Sequence, residues 1–467
     1  MNAIKQVVAT GLTLTLSACS VGPKYTTPEP QLSAAWQAPL PHDGKLTNLS
    51  EWWRGFNDPV LSQLIQTAEQ SSPSLTQAVA RINQARASWD STAASLYPSV
   101  DINAKSTHSK SNPFGSQVFL QTANNLSLDA AWEVDLFGAS RRARESALAH
   151  INARQADWYD ARVSLAAEVA NSYLNLRACE IASDNAKHDW QSRQHTAALT
   201  QLKISQQFLP ASDGMLTQAY ASDAHNRLLN QQAECELNVK ALVALSGTDE
   251  TALRQQLAPR RALLPTSPLV NIASVPADIL RQRPDLAAAE RDLAAAMADA
   301  GLAEANRYPR LTLTGSIGVS LLNLNGVSSQ TDTWSFGPAL SIPLFDAGKR
   351  RANAQLALAR YDEARAGYEL KVRNAVKETE QALVRLDSTR QRMLDAQTSL
   401  TAYTSANQAT TQRYQAGTAS LLEVEDSTRN LISAQNTLTT LQRDQLTASI
   451  SLYKAMGGGF RMKNDHE

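Results

Sequence analysis

"LSLDAAWEVDLFG", residues 126–138, alternates strictly in a chain that otherwise reads as long helix. Leu126, Leu128, Ala130, Trp132, Val134 and Leu136 share one parity; Ser127, Asp129, Ala131, Glu133 and Asp135 share the other. A period of two puts the apolar set on one face of a strand and the polar set on the opposite face. Three more segments behave alike. Val100, Ile102 and Ala104 alternate with Ser99, Asp101, Asn103 and Lys105. Leu311, Leu313, Ile317, Val319 and Leu321 alternate with Thr312, Thr314, Ser316, Gly318 and Ser320. Trp334, Phe336, Leu340, Ile342 and Leu344 alternate with Ser335, Gly337, Ala339 and Ser341. The predicted strands are therefore about 98–110, 121–137, 310–322 and 332–345.

Around them the sequence is rich in Ala, Gln and Leu. A helix is expected from about Val60 to Leu96, stopped by Pro98. Residues 138–204 and 211–247 read as helix, joined by a turn near Phe208-Leu209-Pro210. Some 65 helical residues at 1.5 Å rise reach roughly 100 Å. The second half repeats this plan. Tyr97-Pro98 answers to Tyr308-Pro309, and Leu136-Phe137-Gly138 to Leu344-Phe345-Asp346, 208 residues later. Arg141-Arg142 answers to Lys349-Arg350 at the same offset, and "ALVALSG" (241–247) and "LYKAMGG" (452–458) close the halves. The chain is a tandem duplication of helix, strand, strand, long helix and helix. The first repeat is expected at 60–247, a linker at 248–275, the second repeat at 276–456 and a tail at 457–467. The long helices of the second half carry heptad-like seams, for example Tyr368, Val372, Val376, Thr379, Leu383 and Leu386.

The 467 residues carry a formal net charge of zero, which argues against a nucleic-acid partner. Lys5, the apolar stretch Val7 to Leu16 and the small residues after it read as a secretory signal peptide, residues 1–18. Leu16-Ser17-Ala18-Cys19 resembles a bacterial lipobox, which makes Cys19 the expected lipidated first residue of an extended segment 19–59. The alternative is an ordinary signal peptide with an incidental cysteine. Export permits disulfides. Cys179 lies 29 residues before Phe208 and Cys235 27 after it, so an antiparallel helix pair makes them neighbours. Either a disulfide or two buried free thiols satisfies that position.

Four amphipathic strands of about ten residues are long enough to cross a bilayer when tilted. Four strands in one open sheet leave two unpaired edges, which lipid does not tolerate. Closure takes about eight strands or more, so strands that span a membrane require several copies of the chain. A soluble sandwich is the alternative. Trp132, Trp334 and Phe336 on the apolar parity favour a lipid-facing wall with aromatic residues at its rims.

Beyond this pattern, seven segments resemble the outer-membrane factors of tripartite efflux pumps, the TolC-like channels, in their lipoprotein branch. They are "CSVGPKY", "WWRGFNDPVLSQLI", "ILRQRPDLAAAE" (279–290), "RYPRLTL", "SIPLFDAGKRRA", "RYQAGTASLLEVEDS" (413–427) and "MGGGF" (456–460), in order along Cys19 to Gly459. The resemblance implies a mixed α and β membrane protein whose homotrimer forms a 12-stranded transmembrane β-barrel and a long periplasmic α-helical barrel. It implies a passive conduit in the outer membrane, held to lipid, with a periplasmic adaptor protein and an inner-membrane transporter of the resistance-nodulation-division class as partners. No cofactor is expected. A periplasmic scaffold lipoprotein without a pore is the competing reading.

The resemblance also assigns residues. The second helix turn, with Tyr414, Gly417, Ser420 and Leu421, is expected to contact the adaptor, and Gly417 suits a left-handed helix cap. Leu422, Asp426 and Arg429 match the family's periplasmic gate, where three symmetry-related Asp426 carboxylates form a cation-attracting ring. Glu423 and Glu425 are candidates to share that role. For Asp426 the competing reading is an ordinary solvated helix charge. The first turn, "QQFLPASDGML" (206–216), departs from the pattern: Leu209 stands where the glycine is expected, while Ser212 is in register with Ser420.

No catalytic or metal constellation is present in the sequence pattern. The seven histidines show no H-E-x-x-H spacing, and His188 and His195, on one helix face, have no ligand partners in sequence. "DLFG" lacks the other kinase motifs. "MGGGF" reads as a helix terminator. Arg141, Arg142 and Arg144 stand at a helix N-terminus, against the dipole, and are expected to meet lipid headgroups, carboxylates such as Asp135, or solvent.

Overall fold

The computed structural model describes residues 21–22, 25–28, 37–38, 49–112, 115, 118–266 and 282–460. The signal segment 1–18, Cys19, linker residues 267–275, residues 276–281 and the tail from 461 lie outside the described residues. Twelve elements carry the architecture. They are α1 (Pro59–Ser71), α2 (Pro73–Ala94), β1 (Ser99–Ser111), β2 (Phe119–Val134), α3 (Ala139–Ser205) and α4 (Ala211–Ser246), followed by α5 (Glu250–Leu257), α6 (Pro284–Ala305), β3 (Arg310–Leu324), β4 (Val327–Ser341), α7 (Lys349–Gln415) and α8 (Leu421–Ala455). No described helix is long and apolar enough to cross a membrane.

The single helix expected over 60–96 is two. Ser72 is extended at φ −65° and ψ 120°, because a residue before proline is pushed out of the helical region, and Pro73 then starts α2. Asp58 caps α1 with its carboxylate accepting from Val60 N and Leu61 N, and Pro59 occupies the first turn, where its missing N–H costs nothing.

The four strands form one antiparallel sheet in the order β1-β2-β3-β4. The register aligns the parities read from the sequence. Ile102, Leu128, Ile317 and Trp334 form one row, and Asp101, Asp129, Ser316 and Ser335 the next. The apolar row stands open: Ile102 is 74% exposed, Ile317 63% and Trp334 81%. On the polar face the Asp129 carboxylate accepts from Asn103 Nδ2 at 2.7 Å and from Ser316 Oγ at 2.5 Å, tying three strands together. Trp132 Nε1 donates to Leu96 O at 2.9 Å, so the indole is anchored beside the end of α2. Three strand ends differ clearly from expectation. β4 begins at Val327, five residues before the expected 332, directly after the left-handed pair Asn325-Gly326. β2 stops at Val134 and β4 at Ser341, short of Phe137 and Phe345. Their partner β3 begins only at Arg310, after Pro309, and beyond it there is no ladder to continue.

The chain divides into two compact units, one of Met1–Glu29, Ala80–Gln155 and Ala288–Leu370, the other of Pro30–Val79, Ala156–Ala287 and Lys371–Glu467. The first holds the sheet. There Arg141 pairs with Asp135 at 3.1 Å, Arg142 is buried with Glu145 at 2.8 Å, and the Arg144 guanidinium lies 5.3 Å from the Trp89 ring centre. Carboxylate and aromatic partners within the chain therefore take up the cations at the start of α3. Tyr25 donates to Glu290 at 2.6 Å, fastening the N-terminal segment to α6.

The second unit holds the main apolar core, with Phe56, Leu61, Leu64, Leu174, Leu242 and Ile450 fully enclosed. Trp52 stacks on Tyr453 at 4.5 Å. Tyr173 donates to the Asp58 carboxylate at 2.8 Å, and burial pushes its phenol up to about 12. Arg177 is fully buried against Glu180, Leu257 O and the Tyr173 ring. Arg283 reaches Asp285, Glu378 and the carbonyl of Ala455. The segments "WWRGFNDPVLSQLI" and "RPDL" are thus packing devices. "MGGGF" does more than end α8. A Cβ on Gly457, at φ 81°, would sit 1.7 Å from Gln282 O, and one on Gly458 2.4 Å from a Val163 methyl.

Candidate functional site

The turns at the ends of α3 and α7 lie in the second unit and carry the residues assigned to gate and adaptor contact. Helix α7 ends in a Schellman arrangement. Gly417 N donates to Tyr414 O at 2.9 Å and Thr418 N to Arg413 O at 2.8 Å, with Gly417 at φ 74°. Ser420 then caps α8 through a reciprocal capping box: its Oγ accepts from Glu423 N at 3.2 Å, and Glu423 Oε2 accepts from Ser420 N at 2.6 Å. Those backbone and hydroxyl contacts hold the Glu423 carboxyl below the usual carboxylate range.

The first turn uses the same backbone without the same residues. Gln207 N donates to Ile204 O and Phe208 N to Lys203 O, both at 2.9 Å, and Gln207 itself adopts φ 62°. The left-handed position falls on Gln207, not on Leu209, and the N-cap falls on Pro210, which makes no side-chain cap. The correspondence of Ser212 with Ser420 is therefore corrected. Helices α3 and α7 are both 67 residues long and start 210 residues apart, so Pro210 matches Ser420 and Ser212 lies in the first turn of α4. The offset of 208 read from the Leu-Phe segments fails because Ala347 and Gly348 add a turn before α7; Gly348, at φ 88°, is the counterpart of Gly138 at φ 85°. Two residues are about 200° of helix, which carries Ser212 to the opposite face from the position first assigned to it.

Three neighbouring carboxylates on α8 have separate fates. Glu423 is consumed by the cap. Glu425 is buried and hydrogen-bonded by Thr196 Oγ1 of α3. Asp426 faces outward and pairs with Arg429 at 2.6 Å one turn on, both side chains about half exposed. Leu422 is 56% exposed beside them. The structure thus brings Leu422, Asp426 and Arg429 together on one side of α8 and removes Glu423 and Glu425 from the gate role suggested for them. Tyr414 lies 6.0 Å from Lys203 Nζ, joining the two turns.

Sequence reasoning passed over an apolar group at the first turn. Leu202, Phe208, Met215 and Leu216 are exposed, Phe208 at 78% and Met215 at 74%. Their signal was present: large apolar residues flanking a turn, where solvated residues are the rule. Far along the stem from the first turn, Cys179 of α3 and Cys235 of α4 are disulfide-bonded with Cα atoms 5.5 Å apart. Among the described residues no group of His, Cys, Asp or Glu is arranged to hold a metal ion.

An open four-stranded sheet with a bare apolar face, joined to duplicated helical hairpins, defines a protomer of an oligomeric membrane conduit. Comparison with known proteins identifies the kind. The family model described as outer membrane efflux protein matches residues 64–248 and 275–458. The toluene efflux pump outer membrane protein TtgI of Pseudomonas putida is 30% identical, over 97% of this chain and 98% of its own. Nodulation protein T of Rhizobium leguminosarum bv. viciae is 29% identical over 97% and 94%. Among solved structures, the outer-membrane channel OprN superposes with a TM-score of 0.84 at 31% identity, covering 94% of this chain and 99% of that one. The open state of the Neisseria gonorrhoeae MtrE outer-membrane channel gives 0.81 at 25% identity, over 95% and 99%. The chain belongs to the outer membrane efflux protein family, the TolC-like channels of tripartite efflux systems.

Proposed function

We propose that Leu422, Asp426 and Arg429 form the periplasmic gate of this channel. The protein is the outer-membrane component of a tripartite efflux system and not an enzyme; it works as a homotrimer with a periplasmic adaptor and an inner-membrane transporter of the resistance-nodulation-division class. It resides in the outer membrane and extends into the periplasm. Trimerisation gives the free edges of β1 and β4 partners and covers the apolar row with lipid.

One observation carries the gate reading. Of the three clustered carboxylates on α8, Asp426 alone is neither part of the cap nor buried in the helix interface, and it holds an exposed ion pair with Arg429. Three such pairs around an axis narrow an entrance, and each one that opens adds an Asp426 carboxylate to a cation-attracting ring. Single-channel recording in planar bilayers tests this: Asp426→Ala raises conductance while Arg365→Gln, far from the turns, does not. Equal conductance in Asp426→Ala and the parent refutes the gate.

For adaptor contact, the reading includes Tyr414, Gly417, Ser420 and Leu421 at the second turn, Ser212 at the first, and the exposed Phe208 and Met215. Crosslinking from a photoreactive residue at 208 or 215 to the adaptor tests it. Lipid on Cys19 completes the reading. Support comes from Val21, two residues on, whose N–H donates to Phe137 O at 3.3 Å beside the end of β2. Cys19→Ala abolishes incorporation of labelled palmitate if the reading holds. The relatives' names mention substances as unlike as toluene and pyoverdine, consistent with a conduit whose cargo is selected by the pump.

A further inference from the structure

The four long helices each direct one arginine to a single groove above the Thr196–Glu425 contact. Arg193 comes from α3, Arg227 from α4, Arg392 from α7 and Arg429 from α8, and the groove encloses about 700 Å³. That is room for a ligand of several non-hydrogen atoms. Two carboxylates, Asp189 and Asp223, share the wall with these four guanidinium groups. Asp189 is divided between two of them, at 2.8 Å from Arg193 and 3.0 Å from Arg227. Arg429 is engaged by Asp426. Arg392 forms no ion pair among the described residues. Arg193 is only 5% exposed, so one guanidinium has been taken almost wholly out of water beside a shared carboxylate. Set against Asp189, Asp223 and Asp426, the four guanidinium groups leave one positive charge in excess beside the buried Arg193, with Asp395 lining the adjoining cavity together with Arg392. Ser433, Asn436 and Thr437 add polar groups to the wall.

We infer that this groove binds a small multivalent oxyanion, of phosphate or polycarboxylate type, that bridges the two helical hairpins. Guanidinium forks match the paired oxygens of such anions, and an anion with two charged ends reaches Arg227 on the first hairpin and Arg392 on the second at once. The bridge ties α4 to α7, between which no side-chain hydrogen bond runs at this level among the described residues. The groove shares Arg429 with the proposed gate, but the bridge itself rests on Arg227 and Arg392, which the gate does not use.

Inorganic pyrophosphate is the probe. Calorimetric titration of the purified trimer in detergent, at ionic strength matched with chloride, is expected to show saturable binding with one site per chain. Thermal unfolding shifts upward in step, since a ligand that binds only the folded state stabilises it. Arg227→Gln and Arg392→Gln each weaken binding by about tenfold or more, the loss of a charge-assisted partner. Arg392→Lys retains part of it, and Arg365→Gln, on an exposed face elsewhere, leaves it unchanged. Hydrogen exchange slows in α4 and α7 together when pyrophosphate binds. A response no larger than that to chloride, a loss confined to one of the two arginines, or an equal loss in Arg365→Gln overturns the inference.

Discussion

The two helical hairpins descend from one repeated plan and are held at their turns by different chemistry. The α7–α8 hairpin has Gly417 at the left-handed position and a complete capping box from Ser420 and Glu423. The α3–α4 hairpin places Gln207 in the same left-handed conformation and Pro210 at a cap with no side-chain bond. It has instead the Cys179–Cys235 disulfide, which closes 56 residues of chain between its helices, while the second hairpin has no cysteine. A hairpin's register can be set by local backbone chemistry at the turn or by a covalent tie along the stem. Gln207 at φ 62° carries a cost of about 1 kcal/mol that a glycine avoids, and the stem disulfide offsets it.

Reduction probes this difference most strongly. Opening Cys179–Cys235 is expected to cost about 2–4 kcal/mol by releasing the unfolded chain, read as a lower denaturation midpoint in reductant. Hydrogen exchange then accelerates in α4 and stays unchanged in α8; equal acceleration in both would break the comparison. Next in size, Gly417→Val forces a β-branched side chain into the left-handed region, at about 1–2 kcal/mol. Exchange at residues 413–424 reports it. Ser420→Ala removes the cap from α8 and costs about 1 kcal/mol, whereas Pro210→Ala has no side-chain bond to lose. Gln207→Gly makes the first turn resemble the second and raises stability by up to about 1 kcal/mol; a decrease would show that Gln207 is held by contacts worth more than its strain.

The smallest effect is one of pH. The folded-state value of the Glu423 carboxyl lies below its unfolded value near 4.5, so its contribution to the second turn is fully present above that pH and is lost as pH falls through the lower, folded value. Protection of the start of α8 should decline over that acid range in the parent and not in Glu423→Gln. A decline of equal size in both would remove Glu423 as its cause.

Much of this was legible in the sequence. Alternation in 126–138 reports a strand because successive side chains point to opposite faces whatever lies around them. Pro98, Pro309 and Gly417 mark ends because their backbone preferences are intrinsic. The break at Ser72-Pro73 carried the same kind of signal and was overrun by the helical pattern on either side of it. Other features had no local signal. Nothing in the order of residues says that β2 pairs with β3 across the whole first hairpin, or that Asp189 serves two arginines 4 and 38 positions away.

The sequence by itself determined the strands, the long helices, the duplication and the place of the turns, because each rests on periodicity or on one residue's conformational limits. Tertiary structure alone decided the alignment of the halves at 210 residues, which moved Ser212 away from the position of Ser420. It also decided the separate fates of Glu423, Glu425 and Asp426. Side chains one position apart on a helix differ by about 100° in direction, and which direction meets a neighbouring helix depends on where α3 lies against α8. That packing buries Glu425 against Thr196 and leaves Asp426 to water and Arg429.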